Sequence, residues 1–294
     1  MSLEPIWPST SARRLFRRLC AQPHRVLSKA TVLVVLVFVF PLRAALAQTD
    51  AGLSPLPSAP VPQTQQTSGR QISWRELFPN VLKDEKKIWW EFPKDLEHGK
   101  HWLPTSMALA GTVGLIALDS HDEPYFRRTS TFQGFNRVMS FDGTIAAIAA
   151  VPATTYFVGL VSHKSYAKQT AELTAESLIA AGIPALVTRD IARRVPPSDI
   201  PPSGDFSDSW FRSHRSPFYL GAGGFPSGHT LAAFTVATIF ADRYRNHHWV
   251  RWVAYTGAGA IAFSRITKQA HFASDAFAGA VLGYATAHLV VLPH

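Results

Sequence analysis

Gly224-Phe225-Pro226-Ser227-Gly228-His229-Thr230 opens an apolar run of helical period, and its reading decides the fold and the chemistry together. Proline near a helix start and serine as cap are the chemistry of a first turn. The free amides of that turn point outward and form a ready anion site. Gly228 has no side chain, so a ligand can approach the backbone closely. His229 then stands beside a bound anion, able to pass a proton. A second stretch begins 37 residues after Ser227 with Ser264-Arg265, followed by His271 and Asp275. The last two are four apart and share one face of a helix. A carboxylate there can hold one imidazole nitrogen and leave the other free to attack. Arg265 adds a planar fork suited to phosphate oxygens. A helix cap plus a core histidine accounts for neither Arg265 nor the ordered pairing of the two stretches.

The two stretches together resemble motifs of the type 2 phosphatidic acid phosphatase and vanadium haloperoxidase superfamily. Pro226-Ser227-Gly228-His229 is complete, and so is Ser264-Arg265 with His271 and Asp275 at the family spacing. A third motif, first in chain order, is altered. The family has Lys, six residues, then Arg-Pro; here Arg189 falls at the Lys and Pro196 at the Arg, while Arg194 matches a secondary family Arg. Arginine keeps the charge of lysine but not its shape.

The resemblance covers about residue 102 to the C-terminus and implies an all-α bundle of about six core helices. It also implies the roles. His271 attacks phosphorus and becomes phosphohistidine, Asp275 orients it, and His229 protonates the leaving oxygen and then activates water. Ser227, Gly228, Arg265 and Arg189 hold the phosphate, with Arg194 turning inward to supply the missing cation; Arg193 is expected to matter little. Phosphoryl transfer asks a protein mostly for positioning and charge stabilisation, and an enzyme-bound phosphate divides hydrolysis into two easier steps.

The implied activity is hydrolysis of a phosphomonoester or diphosphate, on a lipid phosphate or a small ester, without metal or other cofactor. Pro196 keeps open a degenerate phosphate- or lipid-headgroup-binding envelope protein. A vanadium haloperoxidase, with His271 as axial ligand, is the remaining alternative. Apart from the adjacent His247 and His248, the other histidines are scattered and show no ligand spacing.

The formal charge of +9 on 294 residues is uneven. Seven of the 29 basic groups, but only Glu4 among the 20 acids, lie in residues 1–47, so the remainder carries 22 against 19. The basic balance is largely that of the leader and gives no reason to expect nucleic acid as partner. The leader has a basic region ending at Lys29, an apolar run from Ala30 to Phe40, and Ala45-Leu46-Ala47 as a small-residue cleavage pattern. It is expected to be a signal peptide or an uncleaved N-terminal anchor. Cys20, the one cysteine, lies inside it, so a mature chain would have neither disulfide nor thiolate metal site.

Residues 48–72, rich in Pro, Gln, Ser and Thr, read as a disordered linker. Residues 73–100 are aromatic and charged, as an amphipathic membrane-surface segment would be, or a helix packing Trp74, Trp89 and Trp90 on the domain. The domain itself is expected over 101–294. Helical period places elements at about Trp102–Leu118, Gly143–Ser162, Ala171–Arg194, Ser227–Tyr244, Trp249–Ser264 and Asp275–Leu292. The polar run Asp119-Ser120-His121-Asp122-Glu123 with Pro124 after it is expected to end the first. The loop from Pro196 to Gly224 carries Trp210, Phe211, Arg212, His214 and Arg215 over the site. The second and sixth helices are long and uncharged enough to cross a membrane. The abundance of Ala and Gly tips the expectation towards a soluble or peripheral protein exported to the bacterial envelope, with an integral membrane protein as the alternative.

Overall fold

A computed structural model describes residues 72–139, 141–212 and 223–293. The leader, all of the linker before residue 72, and His214 and Arg215 lie outside them. The described residues are helical, with no strand among them. Two short helices, α1 (Leu77–Lys86) and α2 (Phe92–Glu97), are joined by a π-turn (Lys87–Glu91) and precede the bundle. The bundle comprises α3 (Trp102–Arg128), the short α4 (Gln133–Val138), α5 (Phe141–Val161), α6 (Ser165–Ala192), α7 (Gly228–Arg243), α8 (His248–Thr267) and α9 (Ala273–Ala285), which runs on as a π-turn (Thr286–Val291).

α7 is the central helix, packed against α5, α6, α8 and α9. Its buried face is Leu231, Ala233, Val236, Ala237, Ile239 and Phe240. α9 lies directly on its first turn because of two glycines one turn apart. A Cβ on Gly279 would strike the Ser227 carbonyl, and one on Gly283 the Leu231 carbonyl. This small-residue spacing, Gly-xxx-Gly, lets two backbones touch. The same approach lets the Ser227 N–H donate to the Asp275 carbonyl at 2.9 Å, which brings the two sequence stretches together.

α3 differs from the expected element. It does not stop at Leu118 but continues ten residues to Arg128, with Pro124 inside. Asp119 and Glu123, one turn apart, are both buried, while His121 and Asp122 face outward. The polar run therefore contains an inward face, and its buried contacts outweigh the one backbone hydrogen bond that Pro124 forfeits. α6 likewise begins earlier than expected, at Ser165.

Four helices are long and apolar enough to cross a membrane: Trp102–Arg128, Asp142–Val161, Ser165–Asp199 and Ala273–Val291. In the first, only 6% of the apolar stretch is buried within the protein. Leu103, Met107, Leu109, Val113 and Leu118 on α3, and Phe157, Leu160 and Val161 on α5, are exposed. Contiguous apolar surface on this scale is costly in water and suits a hydrocarbon surrounding. The expectation of a soluble or peripheral protein is corrected accordingly: length, composition and exposed apolar faces favour a membrane location. Ala and Gly serve the packed faces, whereas the outward faces carry Leu, Val, Met and Phe.

α1 meets α6 through polar groups, with the Asn80 amide donating to Glu176 at 3.2 Å in a buried setting. Trp74 packs edge-on against Tyr156, but Phe78, Trp89 and Trp90 are exposed.

Candidate active site

The site forms where the N-termini of α7 and α9 meet the C-termini of α6 and α8. Ser227 occupies the N-cap position of α7 and is wholly buried. Its hydroxyl accepts from Thr230 at 3.0 Å and makes no cap bond to the helix backbone, unlike the expected serine cap.

Arg189, in the last turn of α6, donates to the Pro226 carbonyl at 2.7 Å. A Cβ on Gly228 would lie 2.9 Å from the same guanidinium nitrogen, so Gly228 makes room for Arg189 as well as for any ligand. Arg265, in the last turn of α8, is buried and donates to the Met139 carbonyl at 2.9 Å and to Ser264 Oγ at 3.1 Å. Lys268 follows Arg265 by three residues and shares its face. Burial, and after it the Arg265 charge, push the Lys268 ammonium down. Among the described residues no carboxylate forms an ion pair with Arg189, Arg265 or Lys268. Lys268 is a cation of the site that motif reading missed; its position one turn beyond Arg265 was the available signal.

His229 lies in the first turn of α7. Burial, then the charges of Arg265, His271, Arg189 and Lys268, push its imidazole down to about 4. The two histidines and three cations thus act on one another across one space.

His271 is held differently from expectation. Its Nδ1 lies 2.7 Å from the Gly224 carbonyl. A carbonyl only accepts, so Nδ1 carries the proton and Nε2 keeps its lone pair. Asp275, expected to orient the ring, has Oδ2 at 3.8 Å from Nδ1, beyond hydrogen-bond range. That oxygen instead accepts the Phe272 N–H at 2.8 Å and caps the start of α9. The ring is set by backbone, and the carboxylate acts on it through space.

Arg194 also departs from expectation. It does turn inward: Arg193 ends α6 in the left-handed region at φ 42° and is exposed, which reverses the chain and buries its neighbour. The Arg194 guanidinium then meets carboxylates rather than an open anion site. It donates to Asp119 Oδ2 and Asp275 Oδ1, both at 2.7 Å, to Ser274 Oγ at 2.7 Å and to Ser209 Oγ at 3.1 Å. It also lies over the rings of Phe272 and Trp210, at 3.9 and 4.4 Å from their centres. Pro196 supplies no cation, as its residue type requires. Asp119 is the other residue that the motifs did not reveal, because it sits on α3, far away in sequence.

The model of the PAP2 superfamily matches residues 173–293, which hold every motif residue named above. Residues 173–293 are thus similar to PAP2-superfamily domains. A stretch of 63 residues is 41% identical to a lipid A 1-phosphatase of Porphyromonas gingivalis, covering 21% of this chain and 14% of that protein. The chain thus spans a small part of that relative's length. Among solved structures, a transmembrane PAP2-type phosphatidylglycerolphosphate phosphatase from Bacillus subtilis aligns over 74% of this chain and 92% of its own, at 18% identity and a TM-score of 0.37. Asp119 and the rest of α3 precede the matched PAP2 region. No cluster of three or more His, Cys, Asp or Glu able to hold a metal occurs among the described residues.

Proposed function

We propose that this protein is a membrane phosphatase that hydrolyses a lipid phosphomonoester through a phosphohistidine on His271. The observation that carries the reading is the Nδ1–H bond of His271 to the Gly224 carbonyl, which leaves Nε2 with its lone pair in a site where His229 meets three cations that no carboxylate pairs among the described residues. In the first half-reaction Nε2 bonds to phosphorus as the phosphorus–oxygen bond to the lipid breaks, and His229 gives the leaving oxygen a proton. In the second, water attacks the phosphohistidine and passes a proton back to His229, releasing inorganic phosphate. Arg189, Arg265 and Lys268 balance the charge on the transferring group.

The low-lying His229 fits this cycle. Among these cations alone it is neutral above about pH 4. A bound phosphate dianion offsets the surrounding cations, so His229 takes up its proton together with the substrate.

A lipid is favoured over a small ester by an apolar groove between α5, α7 and α8. Ala233, Val236, Ala237 and Phe240 line it on α7. They follow His229 at helical spacing on one face. Ile261, Ala258 and Ala254 line it on α8 and precede Arg265 in the same way. The groove therefore continues, on both helices, the face that bears the reacting groups. The names of the P. gingivalis and B. subtilis proteins, each a phosphatase of a lipid, agree with this class. A bacterial envelope location, with the site on the exported side, follows from the leader as part of the same proposal.

The test is phosphate release by the full chain in lipid nanodiscs, comparing a two-chain lipid phosphate with glycerol phosphate. Preference for the lipid should be lost when Ala258→Trp fills the groove, while glycerol phosphate turnover persists. Equal turnover of both substrates by the unaltered protein would remove the lipid assignment, and no release from either would favour a phosphate-binding role.

A further inference from the structure

Asp119 reaches the site from 155 residues before Ser274, and three bonds converge on it. Its Oδ1 accepts the Ser274 N–H at 3.2 Å, in the first turn of α9. Its Oδ2 accepts the Ser274 hydroxyl at 2.5 Å and the Arg194 guanidinium at 2.7 Å. Asp119, Arg194 and Asp275 are each at least 97% buried, so none of their charges is dispersed by water.

One guanidinium between two carboxylates leaves the group with one net negative charge. Were Asp119 neutral, Arg194 would cancel Asp275, and the three groups together would carry no net charge. That charge matters because the His271 imidazole becomes positive when Nε2 bonds to phosphorus. Arg194 is also tied to His271 through backbone: its carbonyl accepts the Gly224 N–H at 2.7 Å, and the Gly224 carbonyl holds the His271 Nδ1–H at 2.7 Å.

We propose that Asp119 is a positioning residue for His271, acting through Arg194 and Ser274 to keep the Asp275 side of the imidazole net negative and the Gly224 carbonyl in place. The inference rests on the phosphohistidine reading and brings α3 into the machinery. Asp275 lies 3.8 Å from the His271 Nδ1, with Arg194, Asp119 and Glu123 grouped about it, while Arg265, His271, Arg189 and Lys268 bear on His229.

Asp119→Asn in the full chain keeps the size of the side chain and removes its charge. We expect kcat to fall about 10–100-fold, as for other partners that act through a catalytic histidine's surroundings. KM should stay within about threefold, because no phosphate contact is touched. The acid limb of the kcat/KM profile should move to lower pH, because a lost negative charge disfavours the protonated ring. Adding Arg194→Gln to Asp119→Asn restores the net charge and should recover part of kcat; a purely structural role predicts a further loss. The proposal is overturned if Asp119→Asn leaves kcat and the acid limb unchanged. It is equally overturned if kcat falls with the acid limb fixed and the thermal unfolding temperature lowered in proportion. If the unaltered protein releases no phosphate from any substrate, the phosphatase reading itself fails. The pH dependence of His271 modification by diethyl pyrocarbonate, followed by mass spectrometry, then decides: a displaced profile in Asp119→Asn supports the charge link, and an identical one ends it.

Discussion

Arg189 and Arg194 lie five residues apart at the end of one helix, yet they sit in opposite electrostatic worlds. Among the described residues Arg189 donates to one carbonyl, that of Pro226, and shares its surroundings with Arg265, Lys268 and two histidines. Arg194 is clamped by two carboxylates and two hydroxyls and stacked between aromatic rings. His271 stands on the boundary, its Nδ1 3.8 Å from the Asp275 carboxylate and its ring among the charges that bear on His229. The lesson is that a motif count of arginines says little about anion binding. What matters is whether the surrounding helices have already neutralised each charge.

The largest expected effect tests the boundary residue itself. His271→Ala should abolish turnover, by at least about 10⁴-fold as when other covalent nucleophiles are removed. It should also abolish an acid-labile, base-stable phosphoenzyme trapped with labelled substrate. Label persisting in that variant would assign the nucleophile elsewhere.

Next, the two arginines should separate by what they lose. Arg194→Ala strands two buried carboxylates and should cost about 3–5 kcal/mol of stability, read in thermal or denaturant unfolding. Arg189→Ala removes one charge-assisted contact and should weaken phosphate or vanadate inhibition by about 1.5–3 kcal/mol, roughly 10–150-fold, at nearly unchanged stability. If Arg194→Ala instead weakened inhibition while leaving the unfolding transition in place, the division between the two would collapse.

The pH response sharpens the cation side. The folded-state value of His229, about 4, lies below its ordinary 6.5, so the unfolded chain binds more protons between those values. Stability should therefore rise with pH across that window and fall on acidification through it. His229→Gln should flatten that slope. Phosphate binding near pH 6 should be accompanied by proton uptake in the unaltered protein and by less in His229→Gln, measured calorimetrically in buffers of different ionisation enthalpy. Uptake of equal size in both would remove His229 as the site of the proton.

The smallest effect is expected at Arg193. It is exposed and caps α6 in the left-handed region, so Arg193→Ala should change stability and turnover by about 0.5 kcal/mol at most.

The sequence by itself determined the helical class and the two complete motif stretches. These follow from local rules: helical period, and residues four apart on one face. It also contained, unread, the Gly279-xxx-Gly283 spacing that joins α9 to α7, and the position of Lys268 one turn after Arg265. Tertiary structure alone decided the partners. Asp119 looked like part of a polar helix end until packing buried it against Arg194 and Ser274. Asp275 looked like the orienting group of His271 until the Gly224 carbonyl took Nδ1 and Phe272 took the carboxylate. The medium was likewise undecided by apolar content, and became legible only when the folded helices left Leu, Val, Met and Phe facing outward. The physical reason is common to all three. Spacing along a helix fixes which residues can share a face, but hydrogen bonds, ion pairs and burial are made between elements whose separation in sequence carries no distance information.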